Sequence, residues 1–389
     1  MRRGHCCSIT VLVHHVVMMG LVVNVFSSTN NINSKYSKGA IDHQIGSNAA
    51  QVTTLFVFGD SLVDNGNNNF LNSMAKSNYY PYGIDSNLGS TGRFSNGNTF
   101  VDYLGGWLGI AAPPPFADPT TSGAKILGGV NYASAAGGIL DETGQHFGDR
   151  YSLSQQVINF ETTLSQLRTM MTGENLSRYL AKAIAVLVFG SNDYINNYLL
   201  PAMYPSSFNY NPSQFANLLL AHYARQLATL YSLGLRKIVV AGVGPLGCIP
   251  SQLATGQAPA GRCVDYVNQM LGAFNEGLLS LVKTMNNGTH PGAIFVYGNT
   301  YGAIGDVLNN PERYGFRVVD RGCCGIGRNQ GQITCMPWST PCANRNEYVF
   351  WDAFHPTQAV DAILAHRAYA GPPSDAYPIN VQQLAMINN

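Results

Sequence analysis

A serine that follows a buried strand is the first residue in this chain whose position suggests chemistry. The apolar run at residues 55–58 is typical of a buried β-strand, and Gly59, Asp60 and Ser61 follow it directly. Because glycine lets the chain turn where a side chain would crowd, Ser61 is expected at the rim of a sheet. A serine hydroxyl becomes a good nucleophile only when a base lies beside it. Without a base, Ser61 at this position would be an ordinary helix N-cap.

The base can come from a segment near the C-terminus, Trp-Asp-Ala-Phe-His-Pro-Thr at residues 351–357. Asp352 and His355 are three residues apart, so a turn can place both side chains on one side. The carboxylate would then accept the imidazole Nδ1 proton and leave Nε2 free as a base. Together with Ser61, these residues predict nucleophilic attack on a carbonyl carbon.

Two further segments contain groups that can stabilise an oxyanion. Asn192 follows the apolar run at 185–189, and its side-chain amide can point to the same rim. The segment 129–138 ends in Gly137 and Gly138, whose backbone N–H groups are not obstructed by side chains. One donor aimed at an oxyanion lowers the barrier to acyl transfer by roughly 3 to 4 kcal/mol. Taken alone, each segment is more typical of a tight turn.

Alternating strands and helices must position these residues. Apolar runs predict strands at 55–58, 185–189, 237–243 and 293–297, and periodic or capped segments predict helices at 152–171, 211–234, 264–285 and 357–371. This order predicts one α/β domain with a parallel sheet that helices cover on both faces. In such a sheet the site lies beyond the carboxyl ends of the strands, where Ser61 and Asn192 fall.

The composition excludes several classes of function. Hydrophobic residues make up 46% of the 389 residues, which supports a large core and excludes wholesale disorder. The 22 basic residues nearly balance the 21 acidic ones, giving a net charge of +1. A surface with so little excess positive charge has no basic face for a phosphate backbone, so we expect no nucleic-acid partner.

The N-terminus indicates export. A cationic start, an apolar run at residues 9–26 and small residues after it predict a signal peptide at 1–27, cleaved after Ser27. Residues 28–50 are expected to form a flexible lead-in, and 51–389 a single domain. A retained membrane anchor is the alternative, but polar residues interrupt the apolar run. We therefore expect no stable membrane span after cleavage.

Cysteines and sequons agree with export. Of eight cysteines, two leave with the signal peptide and six remain: Cys248, Cys263, Cys323, Cys324, Cys335 and Cys342. An even number in an exported chain predicts three disulfides, with Cys248 paired to Cys263 and the later four paired among themselves. A zinc site built from the later four is the alternative, although they lack a Cys-x-x-Cys pair. Asn175 and Asn287 lie in sequons and are candidate glycosylation sites.

The motifs in combination resemble a known family. Gly-Asp-Ser-Leu at 59–62, Gly-Ser-Asn-Asp at 190–193 and Asp-Ala-Phe-His at 352–355 resemble the GDSL (SGNH) esterase/lipase family. The longer segments around 58–68 and 351–357 are similar to its secreted plant branch. The resemblance covers about residues 55–370 and implies a three-layer α/β/α sandwich with a central parallel sheet.

The resemblance also implies roles for individual residues. Ser61 would be the nucleophile, His355 the base and Asp352 the residue that orients the base. The oxyanion hole would consist of the Ser61 N–H, the Asn192 side chain and one glycine N–H. Gly138 is favoured for that glycine, with Gly137 left open. No metal or cofactor is implied.

The function expected from this resemblance is a secreted serine ester hydrolase, extracellular or in the cell wall. It would act on lipid or other carboxylic esters through an acyl-enzyme. An acyltransferase with the same triad is one alternative. A cell-wall carbohydrate esterase is another, in which Tyr79, Tyr80 or Tyr82 would stack on a sugar. A non-catalytic secreted binding protein on this fold is the alternative from another class.

Overall fold

The computed structural model of the protein describes residues 52–258 and 263–387. The predicted signal peptide (1–27) and lead-in (28–50) lie outside the described residues. Among the described helices, none combines the length and the apolar character that crossing a bilayer requires.

Short strands form a central sheet and a small second sheet. Their bounds are β1 (Leu55–Gly59), β2 (Ile184–Val188), β3 (Lys237–Ala241), β4 (Ile294–Gly298), β5 (Val318–Gly322), β6 (Tyr348–Phe350) and β7 (Ala376–Tyr377). The central sheet has the order β1–β2–β3–β4–β7, and β5 pairs with β6. Strands β1 to β4 are parallel and in simple register, from Leu55 opposite Ile184 to Ala241 opposite Gly298.

One edge of the central sheet differs from the sequence prediction. Strand β7 pairs with β4 in the antiparallel direction, so the sheet is mixed and not purely parallel. The four predicted strands are confirmed, but β7 is only two residues long and carries no apolar run that periodicity could detect. The same applies to β6, which has three residues.

Helices cover both faces of the central sheet. They are α1 (Phe100–Leu108), α2 (Leu153–Met170), α3 (Gly173–Lys182), α4 (Ser191–Asp193), α5 (Ser206–Asn209), α6 (Pro212–Ser232), α7 (Pro250–Ala254), α8 (Asp265–Thr284), α9 (Thr300–Asn309), α10 (Gln358–Ala370) and α11 (Val381–Met386). Helix α6 begins as predicted, because Asn211 and Gln214 cap it reciprocally and Pro212 occupies its first position.

The strands send alternate side chains to opposite faces, which creates two cores. Phe56 and Phe58 of β1 pack with α2, α3, α6 and α8 on one face. Leu55 and Val57 pack with α1, α10 and α11 on the other face. Burying each such side chain stabilises the fold by roughly 1.5 to 3 kcal/mol. The three-layer α/β/α sandwich is therefore confirmed, and its rigid sheet fixes the loops at the carboxyl edge.

Candidate active site

Ser61 lies at the carboxyl edge of the sheet, one turn beyond β1. The Asp60 N–H bonds to the Val188 carbonyl of the neighbouring strand, which fixes the start of this turn. A Cβ on Gly59 would come within 2.8 Å of that same carbonyl oxygen, so only glycine fits there. Residues 61–63 form a turn and not a helix. The alternative role of Ser61 as a helix N-cap is therefore wrong.

His355 and Asp352 meet Ser61 from the far end of the chain. The His355 Nε2 atom lies 2.7 Å from the Ser61 Oγ. On the other side of the ring, Nδ1 lies 2.8 Å from both carboxylate oxygens of Asp352. The three side chains thus form one continuous hydrogen-bonded chain, in which a base can withdraw the serine proton while a carboxylate fixes its tautomer.

The Asp352 carboxylate is fully buried and has several donors. Its Oδ1 accepts the backbone N–H groups of Phe354 and His355, and its Oδ2 accepts the Tyr82 hydroxyl at 2.6 Å. Burial alone would raise the pKa of Asp352, but the charge of His355 and hydrogen bonds from His355 and Tyr82 outweigh it and hold this pKa below its ordinary value. Asp352 therefore stays ionised beside the imidazole.

The structure separates the two candidate glycines. The Gly137 N–H already donates to the Ser134 carbonyl at 3.0 Å. The N–H groups of Gly138 and Ser61 have no acceptor among the described residues. The Asn192 amide donates one hydrogen to the Gly137 carbonyl at 3.0 Å and keeps a second for another acceptor. Three hydrogen-bond donors in this region therefore retain a hydrogen without an acceptor among the described residues, and Gly138 fits the role of the oxyanion-hole glycine better than Gly137.

Asp193 ties together the two segments that contain these donors. Its buried carboxylate accepts the N–H groups of Ile139 and Leu140 and the hydroxyl of Thr143. Burial raises the pKa of Asp193 to about 6, although these hydrogen bonds oppose the shift. Sequence reasoning assigned no role to Asp193, because an Asn-Asp pair is also ordinary turn chemistry.

Asp60 was likewise not predicted. Its Oδ1 accepts the Leu62 N–H at 3.0 Å, whereas its Oδ2 is buried without a partner among the described residues. Burial raises the pKa of Asp60 to about 7, against the Leu62 hydrogen bond and the charge of His355. A buried carboxyl with one oxygen unpartnered in the described part of the chain therefore lies directly beside Ser61.

The three tyrosines suggested as a sugar platform differ in their exposure. Tyr82 is only 2% exposed and bonds to Asp352, so its ring has no free face for a sugar. Tyr79 bonds to the Cys335 carbonyl through its hydroxyl. Tyr80 is exposed and lies near Trp338, with ring centroids 6.0 Å apart. The stacking role suggested for Tyr82 is therefore wrong.

Two disulfides hold the segment that carries Asp352. The pairs in the structure are Cys248–Cys263, Cys323–Cys342 and Cys324–Cys335, in agreement with the predicted grouping. The N–H groups of Cys323 and Cys324 bond to the carbonyls of Phe350 and Trp351, directly before Asp352. Because the later four cysteines are all paired, the zinc alternative is wrong.

The two candidate glycosylation sites lie on the surface, and the structure also shows how possible metal ligands are arranged. Asn175 and Asn287 are both exposed, and their glycosylation stays a prediction. Across residues 52–258 and 263–387, no group of three or more His, Cys, Asp or Glu side chains is arranged to hold a metal ion.

An apolar cavity opens beside the Ser61–His355 pair. Ser61, Asn192 and His355 contribute polar groups to its wall, and most other lining side chains are apolar, including Leu62, Ile304 and Leu364. The cavity also borders α10 on the inner side of that helix. A ligand with an apolar tail fits such a site, because few polar groups there would be left without a partner.

Comparisons with known proteins agree with this geometry. Residues 55–368 match the model of the family described as GDSL-like Lipase/Acylhydrolase. The chain is 67% identical over 339 residues to GDSL esterase/lipase At1g71250 from Arabidopsis thaliana, covering 87% of this chain and 90% of the relative. It is 57% identical over 341 residues to GDSL esterase/lipase At5g08460 of the same plant, covering 87% and 89%. On the strength of the family match and these identities, the chain belongs to the GDSL lipase/acylhydrolase family and is a carboxylic ester hydrolase.

Proposed function

We propose that this protein is a secreted serine esterase that cleaves lipid or other apolar carboxylic esters through an acyl-enzyme on Ser61. The observation that carries the proposal is the unbroken chain of hydrogen bonds from the Ser61 Oγ through both nitrogens of His355 to Asp352. Hydrogen-bonded serine, histidine and aspartate of this geometry perform acyl transfer on unrelated folds.

In the first step, the Ser61 Oγ attacks the ester carbonyl carbon while His355 Nε2 takes its proton. The 2.7 Å separation lies within the range for direct proton transfer. The imidazole becomes positively charged as it gains this proton. The ionised Asp352 carboxylate offsets that charge at Nδ1, so the charge separation costs less in the buried site.

The oxyanion that forms needs donors on the opposite side from His355. We infer that the N–H groups of Ser61 and Gly138 and the side-chain amide of Asn192 fill this role. Their support is that each retains a hydrogen with no acceptor among the described residues. Fixed donors of this kind need no rearrangement when the negative charge develops.

The second half of the reaction releases the acyl group. Collapse of the tetrahedral intermediate expels the alcohol, to which the protonated His355 gives its proton. Water then attacks the acyl-enzyme with His355 again as base, and Ser61 leaves with its proton restored. If an alcohol replaces water in this step, the same residues catalyse acyl transfer.

The cavity supports an apolar acyl group as the part of the substrate that is recognised. Most of its lining side chains are apolar, such as Leu62, Ile304 and Leu364, and these offer no partners for the hydroxyl groups of a sugar. Removing each CH₂ of an acyl chain from water contributes about 0.8 kcal/mol. We therefore favour lipid-like esters over acetylated carbohydrates as substrates.

Secretion is the second part of the proposal. Three disulfides support an oxidising compartment, since they rarely persist in the cytosol. We infer cleavage after Ser27 and delivery to the extracellular space or cell wall. N-terminal sequencing of the protein recovered from medium or wall extracts is expected to begin at Ser28. Recovery of an uncleaved chain in the membrane fraction would overturn this part.

The decisive test of the catalytic proposal is Ser61→Ala, assayed with p-nitrophenyl esters of graded acyl length. We expect a loss of kcat of roughly 10⁴-fold or more, because the attacking atom is removed. Ser251→Ala is a matched control. The Ser251 N–H bonds to the Ala353 carbonyl near the triad, but its hydroxyl has no partner among the described residues. Retained turnover in Ser61→Ala would exclude Ser61 as nucleophile.

Two additions to this assay distinguish the alternatives. A competing glycerol-type alcohol reveals acyltransfer if the acylated alcohol appears in place of the free acid. A fluorophosphonate probe should label the folded wild-type protein and not Ser61→Ala. A folded wild-type protein that the probe does not label would favour a non-catalytic binding role.

A further inference from the structure

Tyr82 makes a direct contact with the catalytic machinery that the proposed reaction does not yet use. Its hydroxyl donates to Oδ2 of Asp352 at 2.6 Å, although 270 positions separate the two residues. Both groups are buried, with 2% and 0% of their surfaces exposed. Among the described residues, the other donors to this carboxylate belong to Phe354 and His355, within the same turn as Asp352.

The surroundings of Tyr82 hold its ring in one place. Its ring packs edge-on against Trp351 and Tyr79, with centroids 5.9 and 5.3 Å away. Phe94 packs edge-on against it at 6.0 Å and lies 5.0 Å from the imidazole ring of His355. The phenol therefore reaches Asp352 from a rigid aromatic cluster, with little freedom to lose when the bond forms.

The pKa shifts of the two groups keep Tyr82 as the donor and Asp352 as the acceptor of this hydrogen bond. Burial and the nearby charge of Asp352 raise the pKa of Tyr82 well above its ordinary value, so the phenol stays protonated and donates. The Tyr82 hydrogen bond in turn helps to hold the pKa of Asp352 down. A buried carboxylate oxygen without this donor would lose a charge-assisted hydrogen bond and gain no water in exchange.

We propose that Tyr82 is a positioning residue for the hydrolytic reaction, which fixes the orientation and the charge of Asp352 and, through it, the imidazole of His355. This inference rests on the proposed roles of Ser61, Asp352 and His355. It adds a fourth side chain, from the loop between β1 and α1, to the triad.

Two consequences follow for the reaction rate. Without the phenol, Oδ2 of Asp352 keeps, among the described residues, only its contact with Nδ1, so the carboxylate is held less firmly in the position in which both oxygens lie 2.8 Å from Nδ1 of His355. The proton affinity of the Asp352–His355 pair also rises, because one donor to the ionised carboxylate is gone. The acid limb of the rate profile should therefore move to higher pH. The other titratable groups that face this pair are Tyr79, beside Tyr82, and Asp60, next to Ser61.

The test is Tyr82→Phe, which keeps the ring and removes only the hydroxyl. We expect kcat on a p-nitrophenyl ester to fall roughly tenfold, the scale of one hydrogen bond to a charged group, with KM nearly unchanged. The acid limb of kcat/KM is expected to shift to higher pH. A purely structural role for Tyr82 would lower the melting temperature without moving this limb.

Tyr179→Phe is the matched control, because it also removes a phenol hydroxyl, one that bonds to the Leu127 carbonyl at 3.1 Å and not to Asp352. We expect this variant to keep the wild-type pH profile. If both variants lose activity equally, or if Tyr82→Phe keeps wild-type kcat and acid limb, the proposal is overturned.

A second substitution keeps the test usable if Tyr82→Phe does not fold. Introducing 4-aminophenylalanine at position 82 retains a donor on the same ring and is expected to recover most of the wild-type kcat. If the folded donor variant has no higher kcat than Tyr82→Phe, or no turnover at all, the inference is also contradicted. If Ser61→Ala is inactive and Tyr82→Phe behaves like wild type, only the positioning role of Tyr82 is refuted. If Ser61→Ala remains active, the proposed triad itself is refuted.

Discussion

The His355 Nε2 atom lies 2.7 Å from the Ser61 Oγ, although 294 positions separate the two residues. The contact is possible because two strands from different sheets, β1 and β6, end close to each other. Strand β1 delivers Ser61 to the edge of the central sheet, and the segment after β6 delivers His355 to the same edge. Neither loop could hold the pair alone, so the geometry depends on both anchors.

Removing the charge of Asp352 is expected to slow the reaction without dismantling the site. In Asp352→Asn, the amide can no longer accept the Nδ1 proton of His355 on both oxygens, and the imidazolium loses its counter-charge. We expect kcat to fall by roughly 10²- to 10⁴-fold. Steady-state kinetics with circular dichroism as a folding check measures this loss. A folded variant within about threefold of wild type would contradict the role of Asp352.

The oxyanion donors give a different kinetic signature. Asn192→Ala removes a donor that we propose acts mainly on the transition state, so kcat should fall roughly 10²- to 10³-fold while KM changes little. Asn196→Ala is the comparison, since the Asn196 side chain donates to the Asn192 side-chain oxygen at 2.6 Å and is not itself a proposed oxyanion donor. We expect a much smaller loss there. Equal losses in the two variants would indicate a structural role for Asn192.

Residue types at strand ends predicted much of this site. Ser61, Asn192 and the Asp352–His355 pair are candidates from sequence because their signal is local: each follows a strand or lies within one turn. Tyr82 gave no such signal, since its partner lies 270 positions away and tyrosine is usually core or rim. Its burial against Asp352 depends on how a long loop folds, which short-range periodicity does not encode.

Buried carboxyls predict a pH-dependent stability. The pKa of Asp60 is about 7 in the folded protein, against an ordinary value of 3.8. Between these values the folded state binds more protons than the unfolded state, so the free energy of unfolding falls as the pH rises. Asp64 and Asp193, each with a pKa raised to about 6, act in the same direction.

Asp60→Asn removes only the contribution of Asp60. The amide oxygen can still accept the Leu62 N–H, so the turn is expected to persist. Relative to wild type, the variant should gain stability between about pH 4.5 and about pH 8, by at most roughly 4 kcal/mol. Urea unfolding at the two pH values measures the difference. A stability difference that does not change with pH would show that Asp60 is ionised equally in both states.

The disulfides are expected to differ in their effect on activity. Cys324 bonds to the Trp351 carbonyl next to Asp352, so losing the Cys324–Cys335 bond should loosen the triad as well as the fold. The Cys248–Cys263 bond closes a loop of similar length, 15 against 11 residues, and serves as the matched comparison.

Paired Cys→Ser variants test this difference. By loop closure, both bonds should contribute comparably to stability, roughly 3 kcal/mol each. At a temperature where both variants remain folded, we expect kcat to fall several-fold more without Cys324–Cys335 than without Cys248–Cys263. Equal kcat values in the two variants would mean that the Asp352 segment keeps its position without its disulfide anchor.

The apolar cavity predicts a dependence on acyl-chain length. If the acyl chain lies against Leu62, Ile304 and Leu364, kcat/KM should rise by up to roughly fourfold per CH₂ until the cavity is filled.

The variant Leu364→Trp tests this placement, because a tryptophan on α10 would occupy part of the cavity. We expect the variant to keep its rate on acetate and propionate esters and to lose at least roughly tenfold on octanoate, since several CH₂ groups would then stay in water. Ala370→Trp, at an exposed position of the same helix, is the control and should leave the chain-length profile unchanged. An equal loss on all chain lengths in Leu364→Trp would place the acyl chain elsewhere and leave the apolar wall with a purely structural role.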